Sequence, residues 1–274
     1  IASIILLINS TRYFSFTQIF TPSRPPQIEI TLIVFLIFGL VLFFLRKISA
    51  SLLTFGLILL IGIFLILKIP ALTLWLSSSL RLWVGQSVET ASAFDIRWLG
   101  FSYVAFRLIH TIRDKQAGRL PSVDLDEYIT YVIFFPAFTA GPIDRIERFI
   151  KDLRQPFEGL NQEKFFEAGQ RLLIGLFKKF VVADTLALIA LNDSNATQVN
   201  STGWLWVLVY AYAFQIYFDF SGYTDIALGI AKFIGINLPE NFSSPYLKPN
   251  LTQFWNNWHM TLTQWFRAYF FNPV

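Results

Sequence analysis

Residues 28–45 read IEITLIVFLIFGLVLFFL, an apolar run whose single charge, Glu29, stands at its edge. At the rise of an α-helix the run is about 27 Å long, close to the hydrocarbon thickness of a bilayer. Arg46 and Lys47 follow at once, and a second run, residues 52–67, is closed by Lys68 and Pro70. Two spans joined by a basic turn predict a helical hairpin with Arg46 and Lys47 on the cytoplasmic side, where basic loops are retained. Two buried helices of a soluble core are the competing reading. The continuity of both runs argues against it.

Composition points the same way. Apolar residues make up 54% of the 274 and charged residues 15%, with mean hydropathy +0.52. Soluble domains hold about 45–50% and about 25%. Phe supplies 30 residues and Trp 8, more aromatic surface than a soluble core of this size can hide, whereas a bilayer solvates it and its interfaces favour Trp and Tyr. The fold class expected is all-α, a polytopic membrane protein. The chain also reads as a fragment: it opens on Ile1, residues 1–8 resemble the tail of an earlier span, and it stops at Asn272-Pro273-Val274 directly after an aromatic helical pattern.

The net charge of +4 does not imply nucleic acid, because Lys and Arg sit in short turns beside apolar runs and form no basic stripe. The lack of Cys excludes disulfides and thiolate chemistry. The two histidines, His110 and His259, have no carboxylate at a ligand spacing, so no metal is expected.

Along the chain, residues 21–26 form a Pro-rich loop. Residues 71–84, short and rich in Ser, predict an interfacial or re-entrant helix. Residues 98–111 are apolar enough to enter the membrane and end at Arg113-Asp114-Lys115, and residues 121–127 read as an acidic loop. Residues 128–143 contain Pro136, Gly141 and Pro142, so a helix there must break and hand its freed carbonyls to protein or water. Residues 144–164 mix signs, as an amphipathic helix on the cytoplasmic surface does. Residues 165–191 are a helical pattern interrupted by Lys178, Lys179 and Asp184, and residues 192–202 a loop. Residues 204–218 span, 221–235 form a second, more polar helix, 239–249 a loop with three prolines, and 250–271 a last helix opened by the pair Asn250 and Gln253.

Polar groups at membrane depth are costly, about 2.5–3.5 kcal/mol for a charge at a helix centre, and therefore mark candidate sites. The densest cluster is Phe218-Asp219-Phe220-Ser221-Gly222-Tyr223-Thr224-Asp225. It reads either as a solvated turn between helices or as the polar wall of an internal cavity. The second cluster is the last helix. There a continuous helix would put Trp255, His259, Leu262 and Phe266 on one face, and Phe254, Trp258, Thr261 and Trp265 on the next. A histidine walled by tryptophans is either a titratable base in a dry pocket or a satisfied structural residue.

Three stretches in order, Phe218 to Gly229, Asn241-Phe-Ser-Ser-Pro-Tyr246 and Phe254-Trp-x-x-Trp-His259, resemble the membrane-bound O-acyltransferase family. Phe135-Pro136 and Gly141-Pro142-Ile143-Asp144-Arg145 resemble its bacterial branch, which includes the alginate O-acetylation and teichoic acid D-alanyl transfer proteins. The last motif leans toward the D-alanyl side. The resemblance covers about residues 99–274, which divides the chain into N-terminal transmembrane helices, 1–98, and an incomplete O-acyltransferase core, 99–274.

The resemblance implies a ring-like bundle of transmembrane and re-entrant helices in the cell (inner or plasma) membrane. It implies transfer of an acetyl or D-alanyl group from a cytoplasmic thioester, on acyl-carrier phosphopantetheine or acyl-CoA, to hydroxyls of an extracytoplasmic polymer, with no bound cofactor. A polymer acceptor or an extracytoplasmic acyltransferase is the implied partner, besides the bilayer. His259 matches one family histidine. The other, nearly invariant, falls on a later helix and is expected beyond Val274, so the chain by itself is expected to be inactive. Asp219, Ser221, Tyr223, Asp225, Trp255, Trp258 and Arg267 are expected in support around the cavity, and Pro136, Gly141, Pro142, Asp144 and Arg145 as the structural motif. The sequence departs from the family at Asn256-Asn257, where a basic pair is frequent, and at Ala268, where Asp is common. A transporter or channel, which would show inverted repeats or facing intramembrane charges, and a non-catalytic assembly subunit are the other classes considered.

Overall fold

The computed structural model describes residues 50–85, 87–92, 100–156 and 161–271. The run at 28–45 and the Arg46-Lys47 turn lie outside them. Every regular element among the described residues is helical, and Leu53–Val274 form one unit of the fold.

Helix α1, Ala50–Lys68, contains the one described helix long and apolar enough to cross a membrane, Ser51–Lys68 with mean hydropathy 2.4. Ile69 alone separates it from α2, Pro70–Val84. Pro70 stands in the first turn, where its missing N–H leaves no bond unmade, and Gly85 at φ 73° ends the helix in the left-handed conformation that glycine tolerates.

Helix α3, Phe101–Gln116, runs through Arg113-Asp114-Lys115 instead of ending there. Basic side chains favour a helix C-terminus, and Asp114 is buried, its carboxylate accepting from Tyr269 Oη at 2.8 Å. The acids of residues 121–127 are likewise not all loop. Asp124 donates its N–H to the Glu127 carboxylate at 2.9 Å, and α4, Leu125–Val132, begins there with Asp126 and Glu127 in its first turn, beside the positive end of the dipole.

The expected break follows. After Val132 the chain makes one 3₁₀ turn, Phe135–Ala137, and an irregular stretch to Arg145. Pro136, Gly141, Pro142, Ile143 and Asp144 are buried. Gly141 is required, because a Cβ there would lie 2.3 Å from the Ala137 Cα. The freed carbonyls meet protein. Arg107, buried on α3, donates Nη1 to Val132 O at 2.9 Å and Nη2 to Ala137 O at 2.6 Å.

The polar stretch 144–164 is not one surface helix. Helix α5, Ile146–Leu153, covers its first part, and its apolar stripe, Ile146, Phe149 and Ile150, is buried in the protein core. That core also takes Tyr131 and Phe134 from α4 and the turn after it, and Ala227, Leu228 and Ala231 from α9. The stripe is therefore occupied by protein side chains and is not open to lipid.

Helix α6, Gln162–Leu176, starts on Asn161, whose side chain accepts from Lys164 N at 2.8 Å. It passes into a π-helical turn, Phe177–Ala183, and then α7, Asp184–Ile189. The expected interruption is thus a change of hydrogen-bond register, not a break. Residues 192–202 are not all loop: α8, Asp193–Gln198, is capped by Asn192, which accepts from Ser194 N and Asn195 N.

The two helices expected over 204–218 and 221–235 are a single one, α9, Thr202–Phe233. At 32 residues it is about 48 Å long. Its two acids need no solvent turn because cations of α6 and the π turn meet them: Lys179 pairs with Asp219, Lys178 with Asp225 at 2.7 Å, and Arg171 with Asp225 at 2.7 Å. The backbones approach at glycines. A Cβ on Gly175 would lie 2.6 Å from Ile226 N, and one on Gly222 2.8 Å from Lys179 N.

Candidate functional site

The last segment is bent where the sequence predicts one helix. Helix α10, Leu251–Asn256, is capped by Asn250, which accepts from Gln253 N at 2.8 Å. It ends, and α11, Met260–Phe266, begins after His259, with a π-helical turn, Arg267–Phe271, beyond. His259 itself has φ 43° and ψ 53°. A left-handed conformation in a bulky residue is strained and persists only where neighbours hold it.

Asn241 is the neighbour that holds it. Fully buried in the loop after α9, it accepts from Met260 N at 2.8 Å through its backbone oxygen. Its side-chain oxygen accepts from Thr261 Oγ1 at 2.5 Å and lies 3.3 Å from His259 Nδ1. Its amide nitrogen donates to Thr224 Oγ1 at 3.4 Å, which orients the amide with its oxygen toward the histidine. An acceptor facing Nδ1 puts the ring proton there and leaves a lone pair on Nε2. The edge of Phe220 packs on the imidazole, centroids 4.8 Å apart.

The bend changes which residues share the site. Trp255, expected on the face of His259, is exposed, and Arg267 is exposed and donates to Asn256 Oδ1 at 3.0 Å. Trp258 lies in an aromatic wall with Tyr217, Phe242 and Phe254. From the acidic cluster, α9 offers Phe220 and Thr224 to the histidine network, whereas Asp219 and Asp225 are engaged by cations of α6 and the π turn. Ser221 is buried, and Tyr223 bonds Thr139 of the broken segment.

The Gly141–Arg145 motif joins the same network: Ile143 N donates to Thr261 Oγ1 at 3.1 Å. Asp144 is buried and its Oδ1 accepts from Arg145 N at 2.7 Å and Arg148 Nε at 2.8 Å. Burial pushes its carboxyl up to about 6, against the pull of Arg148. Arg145 is exposed at the start of α5. His110 is also buried, its Nε2 3.0 Å from Tyr131 Oη and its Nδ1 3.2 Å from Phe106 O.

Two cavities flank these groups. The larger, about 480 Å³ between α6 and α9, is lined by Glu167, Arg171, Lys232 and Glu240 and contains neither His259 nor Asn241. The smaller, about 140 Å³, is lined by His110, Asp144, Thr261 and Tyr269. The smaller one is not lined by His259 or Asn241 either and meets their network only through Thr261. Among the described residues no group of His and carboxylates could hold a metal ion.

Sequence reasoning missed Asn241 as a site residue, although it opens the second motif, and missed Arg107, a charge inside an apolar helix. The rule that such charges mark function was the available signal for the latter.

The described residues thus combine helical elements, one helix of membrane length, apolar exteriors on several helices and a buried asparagine beside a histidine. Residues 51–274 match the description "MBOAT, membrane-bound O-acyltransferase family", and the chain belongs to that family. It is 37% identical over 176 residues to a probable alginate O-acetylase AlgI of Pseudomonas syringae pv. tomato, which covers 63% of this chain and 33% of the relative. It is 33% identical over 178 residues to a teichoic acid D-alanyltransferase of Bacillus subtilis, covering 64% and 45%. To a peptidoglycan O-acetyltransferase of Helicobacter pylori it is 37% identical over 151 residues, covering 54% and 28%. The chain thus spans less than half the length of these curated relatives.

Proposed function

We propose that the protein is an O-acyltransferase of the cell envelope, multi-pass in the plasma or inner membrane. It moves an acetyl or D-alanyl group from a cytoplasmic thioester, on acyl-carrier phosphopantetheine or acyl-CoA, to hydroxyls of an extracytoplasmic polymer. The carrying observation is the His259–Asn241 pair. With Nδ1–H directed at Asn241 Oδ1, Nε2 is the basic atom, and the structure gives it no partner among the described residues.

In this reading Nε2 accepts the proton of the acceptor hydroxyl as its oxygen attacks the thioester carbonyl. The carbon–sulfur bond breaks, and the thiolate leaves and takes up that proton, so an ester and a thiol replace a thioester and an alcohol. The aromatic wall of Phe220, Phe242 and Trp258 keeps water from competing with the alcohol. A general base contributes about 10²–10⁴-fold.

The test is the amount of O-acyl ester on envelope polymer in cells that lack their own enzyme of this class and express the full-length protein or its His259→Ala variant. Ester should fall by about 10²–10⁴-fold in the variant. Unchanged ester would reduce His259 to a structural residue, and no ester from the unsubstituted protein with any acyl donor would overturn the function.

A further inference from the structure

The Asn241 amide, which faces the His259 ring, stands between two hydroxyls, Thr261 Oγ1 on one side and Thr224 Oγ1 on the other, and all three side chains are buried. An asparagine fits such a place in two ways, oxygen or nitrogen toward the ring, and only its hydrogen bonds tell them apart. With the oxygen inward, the ring carries its proton on Nδ1 and keeps a lone pair on Nε2. With the nitrogen inward, the amide donates to Nδ1, the ring proton moves to Nε2, and the basic lone pair there is lost.

The Thr261 contact breaks the tie. Its Oγ1 lies 2.5 Å from the Asn241 side-chain atom it faces, a length that O–H···O bonds reach and N–H···O bonds do not. The hydroxyl therefore donates, and the atom facing it is the oxygen. Oγ1 is itself loaded from the far side, where Ile143 N donates to it at 3.1 Å. That N–H is free to do so because residues 138–145 form no helix; an unbroken helix would have committed it to the carbonyl four residues back. Thr224 supports the same orientation from 3.4 Å, at the long limit of a hydrogen bond, and so more weakly.

We propose that Thr261 is a positioning residue for His259: its hydroxyl, loaded by the Ile143 N–H, holds the Asn241 oxygen toward the ring and so keeps the basic lone pair on Nε2. The broken segment thereby acts on the histidine through a single hydroxyl. A flipped amide would turn two N–H donors on Oγ1 and leave the hydroxyl proton with no acceptor among the described residues. In a buried place that disfavours the flipped form by about tenfold or more. Where ester is the measure, this role rests on the acyl-transfer reading above; the ring tautomer does not depend on that reading.

The test reads the ring-nitrogen NMR resonances of the full-length protein isotope-labelled in histidine, which resolve a protonated from a bare nitrogen. The His259 signals are those lost in His259→Gln. The unsubstituted protein should show Nδ1 protonated and Nε2 bare. Thr261→Val, which keeps the shape without the hydroxyl, should raise the Nε2-protonated tautomer by about tenfold or more and lower envelope ester by a similar factor. Thr261→Ser should restore both, and Thr224→Val should leave the tautomer as it is. A bare Nδ1 in the unsubstituted protein, or an unmoved tautomer in Thr261→Val whatever the ester does, would overturn the role of Thr261. Should Thr261→Val fail to fold, Thr224→Val decides, because a tautomer lost there gives the role to Thr224. A tautomer that shifts in Thr261→Val while ester stays unchanged would leave the positioning intact and sink His259 as the base of the transfer reading.

Discussion

Asn241 contacts His259 from two sides: its side-chain oxygen lies 3.3 Å from the ring Nδ1, and its backbone oxygen accepts the N–H of the next residue, Met260, at 2.8 Å. One residue thereby sets both the ring tautomer and the left-handed backbone that carries the ring. Asn241→Ala should leave the Thr261 hydroxyl without its 2.5 Å acceptor and free the imidazole to change tautomer. Stability should fall by about 1–3 kcal/mol and envelope ester by about tenfold or more. Asn241→Asp, which keeps the acceptor, should restore more activity than Ala. Equal loss in Asp and Ala would mean that the acceptor is not what matters.

Arg107 caps two carbonyls that the broken helix releases, Val132 O and Ala137 O. Arg107→Met fills similar space and donates nothing, so both carbonyls stay buried and unpaired, and thermal unfolding in detergent should show a loss of about 2–5 kcal/mol. A loss under about 0.5 kcal/mol would mean that water takes over both bonds.

Gly175 and Gly169 lie on the same helix and should respond in opposite directions. A Cβ on Gly175 meets Ile226 N at 2.6 Å, and backbone cannot step aside, so Gly175→Ala should destabilise by about 1–3 kcal/mol. A Cβ on Gly169 meets nothing nearer than Phe233 Cζ at 3.9 Å, so Gly169→Ala should be neutral or stabilise by up to about 1 kcal/mol. Denaturation of both variants tests the close approach of α6 to α9, and a destabilised Gly169→Ala with a tolerated Gly175→Ala would contradict it.

The Glu127 carboxyl is held well below its usual 4.5, at about 2, first by the hydrogen bond from Arg154 and then by the Asp124 N–H. A depressed folded-state value means that this contribution is complete above about pH 4.5 and is lost as pH falls toward 2. Arg154→Gln should therefore flatten the dependence of melting temperature on pH in this window while changing little of its slope above pH 5. An identical acid slope in both proteins would refute the assignment.

Much of the architecture was legible because it follows from local chemistry. The apolar run after Ala50, the break at Pro136 and Gly141-Pro142, and the cap Asn250 are each decided by the residue's own conformational range or by a bond that spans three positions, whereas the caps Asn161 and Asn192 were not read from the sequence. The ordered motifs, Phe218 to Gly229 through His259, also carried the family. The helix ends were less legible. Nothing in residues 218–225 tells a turn from a continuous helix, because the distinction depends on whether cations reach Asp219 and Asp225 from elsewhere.

Sequence alone therefore determined that the described segments are helical, that they carry apolar side chains on their exterior and that the chain breaks at Pro136. Tertiary structure decided that α9 is continuous, since Lys178, Lys179 and Arg171 lie 40 to 54 positions away in the chain and still neutralise its acids. It also decided that His259 sits at a bend and not on a helical face. A periodicity argument assumes an unbroken helix, and the left-handed residue that breaks this one is held by Asn241, eighteen positions upstream. Contacts between residues so far apart leave no trace in local spacing, because their geometry exists only once the helices have packed.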